Sequence, residues 1–149
     1  MYIYRHDTRE AIAVWVFDRT TIEEWELHFE HLRDLATWSG QTGKRAAALL
    51  LATNFERPDP KRRAELARCT EAPGYDPYVA FIAPNAALRA VLTMFRWVQK
   101  TPKYELDFFA TSRDGATWLE DKRGERLHRL REFLAEIRID YRRAAGVLP

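Results

Sequence analysis

Only one cysteine, Cys69, stands among the 149 residues. No intrachain disulfide can form, and a reducing, cytoplasmic setting is the expected one. No apolar run approaches the ~20 residues a membrane helix needs. The stretch Met1 to Glu10 is charged where a secretory leader would be apolar. Neither a membrane span nor an export signal is therefore expected. Excess charge is also lacking: 24 basic against 22 acidic residues leave a formal +2. A nucleic-acid binder concentrates basic charge, so that class is excluded from the expectation. No glycine-rich phosphate loop follows any strand pattern. Residues 40–44 (Gly-Gln-Thr-Gly-Lys) come after a helix pattern and before a strand, the reverse of the order that cradles phosphate. No cofactor motif, repeat or low-complexity tract is found.

What is present is ordinary for a globular chain: 46% hydrophobic, 31% charged and 13% aromatic residues, with five tryptophans. That size and balance predict one domain over 1–149, with 124–145 as a C-terminal helical extension. Arginine outnumbers lysine, which reads first as the composition of a GC-rich bacterial genome and second as phosphate recognition by guanidinium forks.

Tyr2 to Arg5 and Ala11 to Phe17 read as two strands joined by a polar turn. The second is apolar throughout, as a strand covered on both faces must be. Thr21 and Glu24 have capping-box spacing, so a helix starts there. Ile22, Trp25, Phe29, Leu32 and Ala36 form its stripe, and Gly40 and Gly43 mark its exit. Ala46 to Ala52 is a second continuous apolar run that alone fits helix or strand; its length and flanking turn residues favour a strand. Pro58 and Pro60 frame the start of a helix through Thr70, expected to be the most exposed because Leu66 is nearly its only large apolar residue. Tyr78 to Ala83 is the third buried strand. Asn85 caps a helix carrying Leu88, Val91, Leu92, Phe95 and Val98. In Tyr104 to Ala110, Leu106 and Phe108 alternate with Glu105 and Asp107, the mark of an edge strand. Ser112 caps a last helical region that Gly124 interrupts. Beyond the break, Leu127, Leu130, Leu134, Ile137 and Tyr141 give a new stripe, to be buried on the sheet or on a second copy of the chain.

The expected fold class is therefore α/β: a mixed, mostly parallel sheet of about five strands, the first antiparallel, followed by four strand–helix steps. This order, with the stretch Asp107 to Leu119 ending in Trp118-Leu119, resembles the STAS domain, the anti-sigma-factor-antagonist fold of four β–α superhelical turns. The resemblance covers residues 2–122. It implies a non-enzymatic regulatory or protein-interaction module with a protein partner, working through the loop after the central strand. In signalling members that loop carries a phosphorylatable serine. Here it reads from Ala52 to Pro60 with Thr53 as its only hydroxyl and no glycine after it. The partner-binding or regulatory residues are expected to be Thr53, Asn54, Phe55 and Arg57. A charge added at Thr53 would lie near the helix start at Pro58, with Arg57 to meet it. The alternative function is a carrier of a small apolar ligand such as a lipid, of the related superhelix class.

Other residues invite chemistry without completing it. His28 and His31 have metal-ligand spacing but lack a third ligand in sequence, so a solvated helix face is expected. Cys69 has no histidine near it in sequence to serve as base. Asp18 ends a buried strand, where ligand crevices form, yet it precedes a capped helix and reads as a turn residue. Arg126, Arg129, Arg131, Arg138, Arg142 and Arg143 mix with Glu125, Glu132 and Glu136, as on a salt-bridged surface, with a basic face for an acidic partner or membrane as the alternative. No catalytic set emerges.

Overall fold

The fold, a computed structural model, is described for all residues except 55, 84, 87–88, 90–101 and 145–149, and for the backbone alone at 139–144. Its elements are β1 (Tyr2–Asp7), β2 (Ile12–Phe17), α1 (Ile22–Thr42), β3 (Ala47–Ala52), α2 (Pro60–Thr70), β4 (Tyr78–Ile82), β5 (Glu105–Phe109), α3 (Ser112–Arg123) and α4 (His128–Ala144). The helix expected from Asn85 to Val98 falls mostly outside the described residues.

One five-stranded sheet carries the strands in chain order, β1-β2-β3-β4-β5. β1 runs antiparallel to β2, with Tyr4 opposite Trp15, and every later pair is parallel. The sign change follows from the connections. A four-residue turn, in which the Asp7 carboxylate accepts from the Arg9 and Glu10 amides at 2.9 Å, can only reverse the chain. A parallel neighbour needs a long crossover. The three apolar runs are adjacent interior strands, and the alternating strand β5 is an edge, as their patterns predict.

Side chains alternate between two cores because the strand period is two. Ile12, Val14, Val16, Ala47, Leu49, Ala80 and Ile82 face α3 and α4, meeting Ala116, Leu119, Leu127, Leu130, Phe133 and Ile137. Ala13, Trp15, Phe17, Ala48 and Val79 face α1 and α2, meeting Trp25, Phe29, Leu32, Leu35 and Cys69. All six β2 residues are buried. Continuous apolarity is thus the signature of a strand with helices on both faces. The stripe after Gly124 packs on this chain's own sheet as far as Ile137, with Leu134 only half-buried; the Tyr141 side chain is outside the described residues.

The helix ends are locally determined. The Thr21–Glu24 capping box forms in both directions. α2 is capped by Asp59, one residue before Pro60. α3 is capped by Thr111 rather than Ser112, because Thr111 holds the extended backbone from which its hydroxyl reaches the Asp114 amide at 3.2 Å. Gly124 ends α3 with φ +66°, a left-handed conformation that any side chain would strain. Gly40 lies inside α1 instead of at its exit. The helix passes so close to the next turn that a Cβ on Gly74 would stand 2.1 Å from the Ala36 carbonyl oxygen.

Arg123 closes the opposite end of the sheet. Its guanidinium donates to the carbonyls of Ala11 at 3.0 Å, Arg45 at 3.3 Å and Glu10 at 2.7 Å, and pairs with Glu125. Those carbonyls precede β2 and β3, and the Ala11 carbonyl also accepts the Ala47 amide at 2.9 Å, so the guanidinium reinforces the start of the β2–β3 ladder. Among the described residues, no helix is long and apolar enough to cross a membrane.

Candidate functional site

Parallel strands deliver their following loops to one side, so the loops after β2 and β3 meet at the carboxyl edge of the sheet. Asp18 joins them. Its carboxylate accepts from the Asn54 side-chain amide at 2.5 Å and lies 3.1 Å from the Thr53 hydroxyl. That hydroxyl is also 3.2 Å from the Phe17 carbonyl, so its one proton is shared between two acceptors. Backbone bonds from Thr53 N to Phe17 O and from Arg19 N to Asn54 O complete the clasp. Asp18 is therefore more than a turn residue: its carboxylate fixes the position of the loop across the cleft. Arg19, at φ 49°, takes the left-handed conformation, which turns the chain from β2 into the capped helix.

Between the clasp and the starts of α1 and α2 lies an open groove of about 780 Å³. Arg19, Ile22, Trp25, Arg57 and Arg62 are among the residues lining it. Arg62 is neutralised by Asp59, which also accepts from its backbone amide at 2.8 Å. Those contacts, the backbone bond first, pull the Asp59 carboxyl below its ordinary range. No ion pair among the described residues involves Arg19 or Arg57. Ile22 is 62% exposed. Of the four residues expected to form the site, Thr53, Asn54 and Arg57 come together here. Phe55 lies outside the described residues. The Thr53 hydroxyl faces the Asp18 carboxylate, so a phosphate or glutamate at that position would meet a like charge.

The solvated face expected for His28 and His31 is corrected by the structure. His28 is 2% exposed, ringed by Phe17 at 4.7 Å, Trp25 at 5.8 Å and Tyr2 at 5.8 Å between ring centres. Desolvation first, and the neighbouring His31 second, lower its pKa to about 3, so it is neutral. The Tyr2 hydroxyl lies 2.8 Å from His31 Nδ1 and 3.4 Å from His28 Nδ1. His31 stacks on Tyr4 at 4.0 Å, and His6 meets Trp38 edge-on at 5.0 Å. Three histidines thus lie in one aromatic seam between β1 and α1. Burial pushes the Tyr2 and Tyr4 hydroxyls far above their ordinary range and lowers the pKa of His6 and His31. Buried Tyr4 Oη and His6 Nε2 have no hydrogen-bond partner among the described residues. The two rings on α1 turn towards the Tyr2 hydroxyl, and no third metal-binding side chain among the described residues joins them.

Cys69 is buried beside Glu65 and Arg33. Desolvation, then the Glu65 charge, raise its thiol pKa and keep it protonated. A protonated thiol is a poor nucleophile.

A second groove, of about 500 Å³, opens where the end of β3 meets α3 and α4. Leu51, Leu134, Ala135 and Ile137 give it an apolar wall, and Arg113, Arg131 and Arg138 contribute to its lining. Arg131 also grips Glu120 through two 2.8 Å bonds. That fork, first among several contacts, holds the Glu120 carboxyl down at about 2. The sequence points to the loop of the first groove but gives no direct signal for the second, which is assembled from segments far apart in the chain.

Family models, curated proteins and solved structures were all compared with the chain, and none matches it.

Proposed function

We propose that this protein is a non-enzymatic regulatory or protein-interaction module of STAS-like type, working in the cytoplasm through the groove at the carboxyl edge of its sheet. The supporting observation is the Asp18–Thr53–Asn54 clasp, which holds a polar loop in one position beside Arg57 and the exposed Ile22. Preorganised loops lose less freedom on binding, and arginine and aromatic side chains dominate interface energetics.

The test is a quantitative pull-down from the native host, comparing wild type with Arg57→Glu and Ile22→Asp. Both residues line the groove outside the clasp, so the fold should persist, as circular dichroism would check. Loss of the same partner from both variants, by tenfold or more, is the expected result. Unchanged recovery of every partner by both would remove the groove from consideration.

A further inference from the structure

We propose that the groove between β3, α3 and α4 is a binding site for a single-chain carboxylate of the fatty-acid type. The inference rests on a different groove from the loop reading and on other side chains, although Thr53 borders both grooves. Leu51, next to last in β3, lines the groove together with Leu134, Ala135 and Ile137 of α4. Ala135 is exposed and Leu51 and Leu134 only half-buried, so this apolar surface is left for another apolar body to cover. A volume near 500 Å³ is that of a small-molecule site, much smaller than a protein partner's footprint.

Charge selects the head group. Three guanidiniums, from Arg113, Arg131 and Arg138, line the groove, and among the described residues no aspartate or glutamate does. Glu120 neutralises Arg131 from outside the lining. No ion pair among the described residues involves Arg113 or Arg138. The uncompensated charge is therefore positive, beside a hydrocarbon floor. A carboxylate at the rim with its chain on the floor satisfies both features. A cationic amphiphile would meet like charge at the rim, and a wholly polar anion would gain nothing from Leu51 and Leu134.

Dodecanoate, octanoate and dodecylammonium, each below its micelle concentration, are the probes, titrated calorimetrically and by amide NMR shifts into the full chain. Dodecanoate should bind with shifts centred on Leu51, Ala135 and Arg138. Each seated methylene should multiply affinity about fourfold, so octanoate should bind much more weakly. Dodecylammonium should bind at least tenfold more weakly than dodecanoate. Ala135→Trp fills the groove from an exposed helix position and should weaken dodecanoate at least tenfold; Arg138→Glu should weaken it at least threefold. Arg57→Glu, which tests the other groove, should leave dodecanoate affinity unchanged. Equal affinity for the two head charges, unchanged binding in Ala135→Trp, shifts centred elsewhere or no binding at all would each overturn the proposal.

Discussion

At His28 the environment chooses one protonation state. The folded chain holds this imidazole neutral down to about pH 3, whereas an unfolded histidine takes up its proton near 6.5. The unfolded state therefore binds the extra proton first as pH falls. Its stabilising effect is complete above about pH 6.5 and fades towards pH 3, by about 1.4 kcal/mol for each pH unit in between. Glu120 works in the same direction but in a lower window. Its folded pKa lies near 2, so its contribution is present above its unfolded value of 4.5 and fades only below that. Urea unfolding of wild type and His28→Phe between pH 6.5 and 4.5 separates the two, and the variant should show the shallower decline by about one proton. Trp25, 7% exposed against Phe17 and Phe29, should cost about 3–5 kcal/mol when cut to alanine, read from the urea midpoint. Trp25 is legible in sequence because its neighbours repeat at helical spacing. His28 is legible by the same logic once a polar residue is allowed into the stripe: 25, 28, 29, 32, 35, 36 and 39 are the buried positions of α1. The surrounding glutamates, Glu23, Glu24, Glu26 and Glu30, disguise it as part of the wet face.

Among the elements, local chemistry reads well and distant chemistry does not. The Thr21–Glu24 box spans three residues, so the sequence alone places the start of α1 correctly. The continuous runs that became β2, β3 and β4 declare two covered faces in the same way, and the alternation of β5 declares one. The Asp18–Thr53 bond joins residues 35 apart, and Arg123 reaches Ala11 across 112. No spacing rule predicts such pairs, because a sheet must first bring them together. The junction of α1 with the turn after α2 is another product of assembly. It leaves no room at Gly74, where a new Cβ would stand 2.1 Å from a backbone oxygen that no side-chain rotation can move. Gly74→Ala should therefore force the turn away from α1 and cost about 1–3 kcal/mol. Thermal unfolding would show it as a lowered midpoint. The same change at Gly40, whose added Cβ would find Gly74 Cα at an ordinary 3.8 Å, should be neutral or stabilising, since alanine is the better helix former.

For the molecule as a whole, strand order equals chain order. During synthesis each new strand can therefore find its neighbour already made, and the sheet can grow from one edge without waiting for a distant partner. The two faces do not share this advantage. α1 and α2 are made between the strands they cover, so that face can be sheltered as it forms. The face of Ile12, Val14, Val16, Ala47 and Leu49 waits for α3 and α4, which leave the ribosome after every strand is complete. Until residues 112–137 emerge, the nascent sheet carries a bare wall of aliphatic side chains. That interval, rather than the finished fold, is where a chaperone would find this chain in need of it.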